Sequence, residues 1–487
     1  MNPVDIAGFM PFFIALCGIG MYFIAKLLPK NLRRWCGTLT GFVLFAVFCL
    51  LLSVLFQHTA YPTISYIGLT GGLLVTGIGA VAAWASAGTL DPKGPVQFYY
   101  PLFLFALAGA MAVGFATDLF TIFVLVELSA IPVYALCAYR YQTEPAALSA
   151  AMKYLLQGVM GTLTALLGVA LLFIEGHTLD ISLLPAALAG ADPRIVLFAA
   201  LLIVLGYGVK LGIVPLHTWL PDVYARAPVG VTAIMVGPTK IGVLIAMILS
   251  LSALPAEGTL PWTLGIVITF FALVTMTAGN LLALNQTDLR YILSYSSIAQ
   301  MGYILLGFGI GLIYNLPLGF VAGLYYAIAY AMMKSGAFFA TDAFARDTGS
   351  FRIADMGGLG ARHPILGLSM IIFIFGLIGV PFTSGFLGKL LLEQAGMSTS
   401  MMSGVVLALI LALNSALSLG YYIPVISTLL FCGTDKTVCP ANPKPLPLTV
   451  ISAVVFLALV TVYLGLFPES FDWISHAARQ IFIGGVL

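Results

Sequence analysis

Apolar residues run through this chain in blocks of roughly twenty to thirty, and polar residues are confined to short stretches between them. The blocks are too long and too many to be buried helices of a water-soluble domain. Each matches the ~20 residues that carry a helix across a bilayer. Period-two alternation over about ten residues, the mark of outer-membrane barrel strands, is missing. The pattern therefore predicts an all-α integral membrane protein whose helices satisfy their own backbone hydrogen bonds. About fourteen transmembrane helices are expected, near 7–28, 36–56, 65–87, 97–117, 119–139, 149–173, 196–217, 229–252, 261–283, 291–313, 317–342, 364–396, 402–431 and 447–467. Two of them, 364–396 and 402–431, exceed one crossing and are expected to tilt, bend or break.

The polar stretches set the orientation. With the N-terminus outside, Lys26, Lys30, Arg33, Arg34, Lys93, Arg140, Arg226, Arg290, Arg346, Arg352, Arg362, Lys436 and Lys444 face the cytoplasm, and only Arg194 and Arg479 lie outside. Basic residues gather on the cytoplasmic side of membrane proteins, so this asymmetry places both termini on the non-cytoplasmic side of a cell inner (cytoplasmic) membrane. Residues 1–487 read as a single multi-pass transmembrane domain without a soluble unit, and 342–363 is expected to be a charged cytoplasmic loop. The short C-terminal tail, 467–487, mixes Phe471, Trp473, Ile474 and Phe482 with Asp472, His476 and Arg479. It either lies along the interface as an amphipathic helix or extends freely. The start, Met1 to Asp5, lacks the basic segment of a signal peptide.

Composition agrees: 61% of residues are hydrophobic and 8% charged. The net charge of +2 says nothing about partners, and no nucleic acid is expected. Cys17, Cys36, Cys49, Cys137, Cys432 and Cys439 have no C-x-x-C or ferredoxin-like spacing, so they are read as small packed hydrophobes and no iron–sulfur ligation is expected in this chain.

Two spans carry proline and glycine within their apolar runs, Gly208 to His217 around Pro215 and Gly376 to Gly385 around Pro381. Proline removes a donor and clashes with the preceding turn, so helix breaks are expected at Pro215, Pro381 and Gly385; simple kinks are the alternative. The breaks fall in the seventh and twelfth spans, five helices apart. Paired interruptions at matching places suggest two inverted five-helix repeats, drawn about 97–252 and 261–431, with a pathway between them.

Five lysines sit inside apolar segments: Lys153, Lys210, Lys240, Lys334 and Lys389. Glu127 is the one acidic residue expected to be embedded as deeply. A charge within a bilayer costs roughly 2.5–3.5 kcal/mol on insertion scales, so it needs a partner, water or a task. Lysine, unlike arginine, can shed its proton when desolvated, and the series therefore points to proton handling. Glu127 and Lys210 form either a switching pair or a static tie between helices. Lys153 lies near the cytoplasmic start of its helix and either joins the series or snorkels. His217, just past a break, either titrates or caps the half-helix. His58, His177, His363 and His476 are expected in solvated positions, Asp118 at the outer edge of a span, and Asp222 beside Arg226 as a loop pair.

The segment Lys210-Leu211-Gly212-Ile213-Val214-Pro215-Leu216-His217-Thr218-Trp219-Leu220-Pro221-Asp222, continued by Ala227-Pro228, resembles a motif of the antiporter-like membrane subunits. That family is shared by respiratory complex I, membrane-bound hydrogenases and Mrp sodium–proton antiporters. Thr287 to Ser297, Gly379 to Lys389 and the surroundings of Glu127 match in the same order, over about Tyr100–Glu393. The block Ala151 to Gly158 looks most similar to the branch that holds subunit N of complex I and the D-type protein of Mrp antiporters. The resemblance implies an ion-translocation axis in which Glu127 pairs with Lys210, Lys240 and Lys334 relay, and Lys389 is terminal, with Lys153, His217 and Tyr330 as accessory positions. Tyr330 stands where some relatives carry histidine, and Ile67 to Gly71 lacks an acidic residue found in others. The resemblance also implies H+ or Na+ as cargo within the lipid bilayer, in a redox-driven complex or, as the alternative, a secondary antiporter. The implied partners are other membrane subunits, including homologous antiporter-like ones, and a redox arm. It implies no cofactor in this chain, with iron–sulfur, flavin, nickel–iron or quinone chemistry confined to partner subunits.

Overall fold

The computed structural model describes residues 3–56, 65–256, 258–399, 401–431 and 445–483. The expectations for His58, Cys432, Cys439, Lys436 and Lys444 and for the side chain of Arg479 lie outside the described residues. Apart from single turns, the chain folds as α1 (Pro3–Leu27), α2 (Trp35–Phe56), α3 (Tyr66–Thr89), α4 (Val96–Ala112), α5 (Leu119–Cys137) and α6 (Pro145–Gly176). Then come α7 (Pro193–Leu211), α8 (Leu220–Arg226), α9 (Val229–Ser252), α10 (Leu260–Leu284), α11 (Leu289–Tyr314) and α12 (Pro317–Thr348). The last are α13 (Pro364–Ile378), α14 (Ser384–Met397), α15 (Met401–Leu430), α16 (Leu448–Leu466) and α17 (Asp472–Ile483).

Local sequence sets many of these ends. Asp118, Asp192 and Asp288 accept bonds from the first free amides of α5, α7 and α11. Pro145, Pro193, Pro317 and Pro364 open helices where a missing N–H goes unnoticed. Gly212, Gly349 and Gly379 end α7, α12 and α13 in the left-handed region, at φ 77°, 72° and 97°.

Among the described residues, twelve helices are long and apolar enough to cross a membrane, thirteen if the strongly bent pair Ile353–Arg362 and Pro364–Ile378 counts as one span. The expected fourteen differs for two reasons. Helix α12 is long but carries Lys334, Asp342, Arg346 and Asp347, and α13 and α14, with 15 and 14 residues, are each too short to cross alone.

Both expected breaks are present. After Gly212 the chain turns through 213–219 before α8 begins, and after Gly379 it turns before α14. Carbonyls freed at these ends find donors: Trp219 Nε1 bonds Val209 O at 2.8 Å, and Gln300 Nε2 bonds Leu377 O at 3.3 Å. A Cβ placed on Gly385 would lie 1.8 Å from Gly376 O, so the two halves of the second broken span meet through bare backbone. Gly385→Ala is expected to destabilise the protein by about 1–3 kcal/mol, the usual effect of overpacking. The thermal midpoint of the purified protein measures this, and an unshifted midpoint would refute the close contact.

The helix α12 lies at the centre, packed against α3, α9, α11, α13, α14, α16 and α17. The tail forms the amphipathic helix, with Ile474, Ala477 and Ala478 buried against α3 and α12 rather than extending freely. One local feature recurs. Leu119 N bonds Leu179 O and Ile181 N bonds Thr117 O, while Leu289 N bonds Phe351 O and Ile353 N bonds Thr287 O. Both bridges follow a Thr-Asp-Leu triplet that opens the helix, and the alternation of helices puts them on opposite faces of the bundle.

Several expectations about charge need correction. Glu127 is not the only embedded acid: α12 continues to Thr348, so Asp342 belongs to a helix and not to a loop, and it is buried against Arg290 with Nη2 to Oδ1 at 2.8 Å. Asp222 does not pair with Arg226. Tertiary packing gives Asp222 to Lys153 at 2.6 Å and Arg226 to Glu144 at 2.9 Å. His363 is not solvated; its Nε2 lies 2.7 Å from Asp347 Oδ2. Asp118 does mark the edge of a span: it caps the start of α5, its carboxylate accepting from the N–H and hydroxyl of Thr121.

Candidate functional site

Four of the five lysines line up through the bundle. Lys210 lies in the last turn of α7, immediately before the break, where the helix dipole favours a cation. Its Nζ is 3.2 Å from Glu127 Oε1 on α5 and donates to the Tyr134 hydroxyl at 2.9 Å. Glu127 also accepts from the Thr162 hydroxyl on α6. Its side chain is 18% exposed, so it sits at the edge of the bundle rather than as deep as Lys210.

Lys240 follows a single π-turn, Met235–Thr239, that the sequence reading missed; Pro238 lies inside it. Such a turn re-aims the residues that follow it. A cavity of about 10 Å³, bordered by Lys210, Tyr154, Trp219, Tyr224 and Lys240, lies between the first two lysines. That is the size of one water molecule. Lys240 also donates to the Tyr330 hydroxyl at 3.4 Å, and the Tyr224 ring lies 5.5 Å from its Nζ.

Tyr330 is one helical turn before Lys334 on α12. Lys334 has no exposed surface. It donates to Leu293 O at 2.9 Å, to the Tyr422 hydroxyl at 3.2 Å and to Ser296. Lys389, on α14, turns back over the break: its Nζ donates to Leu377 O at 3.1 Å, Ile378 O at 2.8 Å and Ser415 Oγ at 3.1 Å. The lysine thus closes the carbonyl end of α13, again at the negative pole of a half-helix. The Tyr303 ring lies 4.5 Å from the same ammonium. Among the described residues, Lys240, Lys334 and Lys389 have no carboxylate in ion-pair contact.

Lys153 does not join this line. Its side chain is 53% exposed and paired with Asp222, which also accepts from the Tyr291 hydroxyl at 3.1 Å. His217 is half-buried, and among the described residues its Nδ1 has no hydrogen-bond partner. Pro215 and Pro381 are exposed at their breaks, and Gly385 is buried. The sequence reading missed Tyr134, Thr162, Ser296, Tyr303, Ser415 and Tyr422, which surround the lysines. A stripe of Ser294, Ser296, Ser297, Gln300 and Tyr303 on α11 was the available signal. No group of three or more His, Cys, Asp or Glu among the described residues is arranged to hold a metal ion.

These features define a multi-pass helical membrane protein with amines buried in a row beside two interrupted helices. Residues 116–415 match the family model described as NADH:quinone oxidoreductase/Mrp antiporter, transmembrane, and the chain belongs to that family. NADH-quinone oxidoreductase subunit N 3 of Streptomyces griseus subsp. griseus is 35% identical over 396 residues, which cover 78% of this chain and 69% of that protein. F(420)H(2) dehydrogenase subunit N of Methanosarcina mazei is 33% identical over 432 residues, 84% and 83% of the two chains. Among solved structures, a chain of the membrane-bound sulfane sulfur reductase, an archaeal respiratory membrane complex, superposes with a TM-score of 0.83 at 25% identity, covering 99% of both chains. A chain of the Mrp complex from Dietzia sp. DQ12-45-1b gives 0.82 at 21% identity over 99% of this chain and 98% of its own, a likeness of fold alone.

Proposed function

We propose that this chain is the antiporter-like, ion-translocating membrane subunit of a redox-driven complex of the complex I type. Its similarity to subunits named for NADH-quinone oxidoreductase and F(420)H(2) dehydrogenase supports that choice over a secondary Mrp-type antiporter. The carrying observation is the ion pair between Glu127 and Lys210 at an interrupted helix, followed by three buried lysines without carboxylates. Protonation anywhere in such a row raises the energy of a charge at the next position, because low dielectric leaves the repulsion unscreened. Opening the Glu127–Lys210 pair pushes a proton off Lys210 towards Lys240, and closing it draws one back. Lys334 passes the charge on, and Lys389 exchanges it with the far side. His217 and Tyr330 are accessory to this axis, whereas Lys153, in its exposed pair with Asp222, has a structural role.

The finer parts of the reading belong to the same proposal. The chain lies in a cell inner membrane with both termini outside the cytoplasm. It assembles with further membrane subunits and a redox arm, and any flavin, iron–sulfur, nickel–iron or quinone chemistry resides in those partners. Two inverted repeats, about 97–252 and 261–431, are supported by the matched breaks and by the Thr-Asp-Leu bridges on opposite faces. The test is Glu127→Gln and Lys210→Ala in the assembled complex. Electron transfer is expected to persist while ion translocation by this subunit falls at least about ten-fold, the effect of ~1.4 kcal/mol on a barrier. Full pumping per turnover in both variants would end the proposal.

A further inference from the structure

Among the described residues no carboxylate is in ion-pair contact with Lys334 or Lys389, and a line of neutral polar side chains lies between them. Lys334 Nζ donates to the Tyr422 hydroxyl at 3.2 Å and to Ser296, and these two hydroxyls bond each other. Tyr421, whose ring centroid is 4.4 Å from that of Tyr422, donates its hydroxyl to Asn280 Oδ1 at 2.9 Å. From the other end, Lys389 Nζ donates to Ser415 Oγ at 3.1 Å, and Ser415 Oγ is 3.5 Å from the Tyr303 hydroxyl. Ser415 follows Asn414 on α15, and Asn414 Oδ1 accepts from Asn280 Nδ2 at 3.0 Å. Asn280, fully buried on α10, is where the two lines meet.

A hydroxyl passes a proton by accepting one on its oxygen and releasing its own. A carboxamide has no equivalent route, because taking a proton on oxygen and releasing one from nitrogen leaves an unstable imidic acid. Both hydrogens of Asn280 Nδ2 are also engaged elsewhere: that nitrogen donates to Asn414 Oδ1 at 3.0 Å and to Asn414 O at 3.2 Å. The amide therefore connects the two hydroxyl lines structurally while insulating them from each other. A crevice of about 610 Å³ between α10 and α15, bordered by Thr277, Asn414, Leu417 and Gly420, lies on the Asn414 side of the amide pair.

We propose that Asn280 is a proton gate between Lys334 and Lys389, with Ser296, Tyr422 and Tyr421 as one conducting half-path for H+ and Tyr303 and Ser415 as the other. When the amide turns away and water bridges the hydroxyls, a proton leaves the Lys334 ammonium. Each oxygen along the line takes one proton and gives one up, and the Lys389 amine accepts the last. Lys334 ends neutral and Lys389 charged, with one proton moved and no other bond altered. While the amide is in place the line does not conduct, which prevents passive flow along it. The gate rests on the reading that the lysine series carries ions.

The test uses the intact complex in liposomes, with passive H+ flux driven by a valinomycin–K+ diffusion potential and read by a trapped pH-sensitive dye. H+ translocated per turnover is measured in the same preparation. Asn280→Ala, which admits water, is expected to raise passive flux about ten-fold and lower net pumping. Asn280→Leu, which fills the site, is expected to leave passive flux unchanged and remove this subunit's pumping. That split would not arise from a merely structural role. An assembled Asn280→Ala complex with native leak overturns the gate. Should that variant fail to assemble, Tyr421→Phe decides, because it removes one hydroxyl and keeps the ring. Lost pumping with electron transfer retained is expected, and native pumping overturns the proposal. Glu127→Gln, run in parallel, separates the two failures. If it also pumps fully, the ion-carrying reading is wrong; if it alone fails to pump, only the gate is wrong.

Discussion

Asp342→Ala is expected to keep the subunit from accumulating in the membrane. The Arg290 guanidinium is buried, donates to Asp342 Oδ1 at 2.8 Å and to Ala225 O at 2.5 Å, and stacks 3.6 Å from the Phe351 ring. Those contacts tie α11 and α12 to α8, the half-helix beyond the first break, and to the Thr287–Ile353 bridge. Arginine cannot shed its proton to escape, so removing its acid leaves an uncompensated buried charge. Breaking such a pair costs about 3–5 kcal/mol, a large part of the 5–15 kcal/mol that holds typical proteins together. The amount of subunit in isolated membranes and the thermal midpoint of the complex measure the effect. Replacing both partners, Asp342→Leu with Arg290→Met, is expected to recover much of the loss, since two apolar side chains leave no stranded charge. Normal levels of Asp342→Ala would mean that solvent or another acid meets Arg290 in the assembled complex.

Lys334→Met has the opposite signature. Lys334 is wholly buried, has no carboxylate in contact among the described residues, and is held by a backbone carbonyl and two hydroxyls. Methionine fills nearly the same space without an amine to desolvate. Stability is expected to be unchanged or to rise by about 1–2 kcal/mol. Translocation through this subunit is expected to vanish, because Lys240 and Lys389 then have no amine between them to hold the proton. A thermal melt and H+ per turnover on one preparation check both halves. A variant that melts lower and still pumps would place the conducting group elsewhere.

The two variants mark where sequence reading succeeds. Lysines in apolar runs are anomalous by themselves, and the anomaly pointed to Lys210, Lys240, Lys334 and Lys389, which the structure does bring into one line. The breaks were legible because Pro215 and Pro381 act within a few residues of themselves, whereas Gly385, expected as a further break, lies inside α14 and serves the contact with Gly376. Asp342 was misread for the opposite reason: it sits near the end of an apolar run, where helix and loop share a composition, and its partner is 52 positions away. Lys153 was grouped with the embedded lysines because its neighbours are apolar. Only the approach of Asp222, 69 positions later, reveals an exposed pair. Asn280 and Tyr421 carried no signal at all, since one asparagine and one tyrosine in apolar helices are unremarkable until 141 positions of chain fold between them.

By itself, then, the sequence determined the helices across a bilayer, the positions of two breaks, and which segments carry amines that can lose a proton. These follow from hydropathy, from proline's missing donor and from the titratability of lysine. Only the tertiary structure decided which of those amines share a line and which charges are neutralised. It also decided where neutral hydroxyls and one amide stand between the last two lysines. A hydrogen bond or ion pair requires atoms within about 3–4 Å, and for residues tens to hundreds of positions apart that distance is set by helix packing alone.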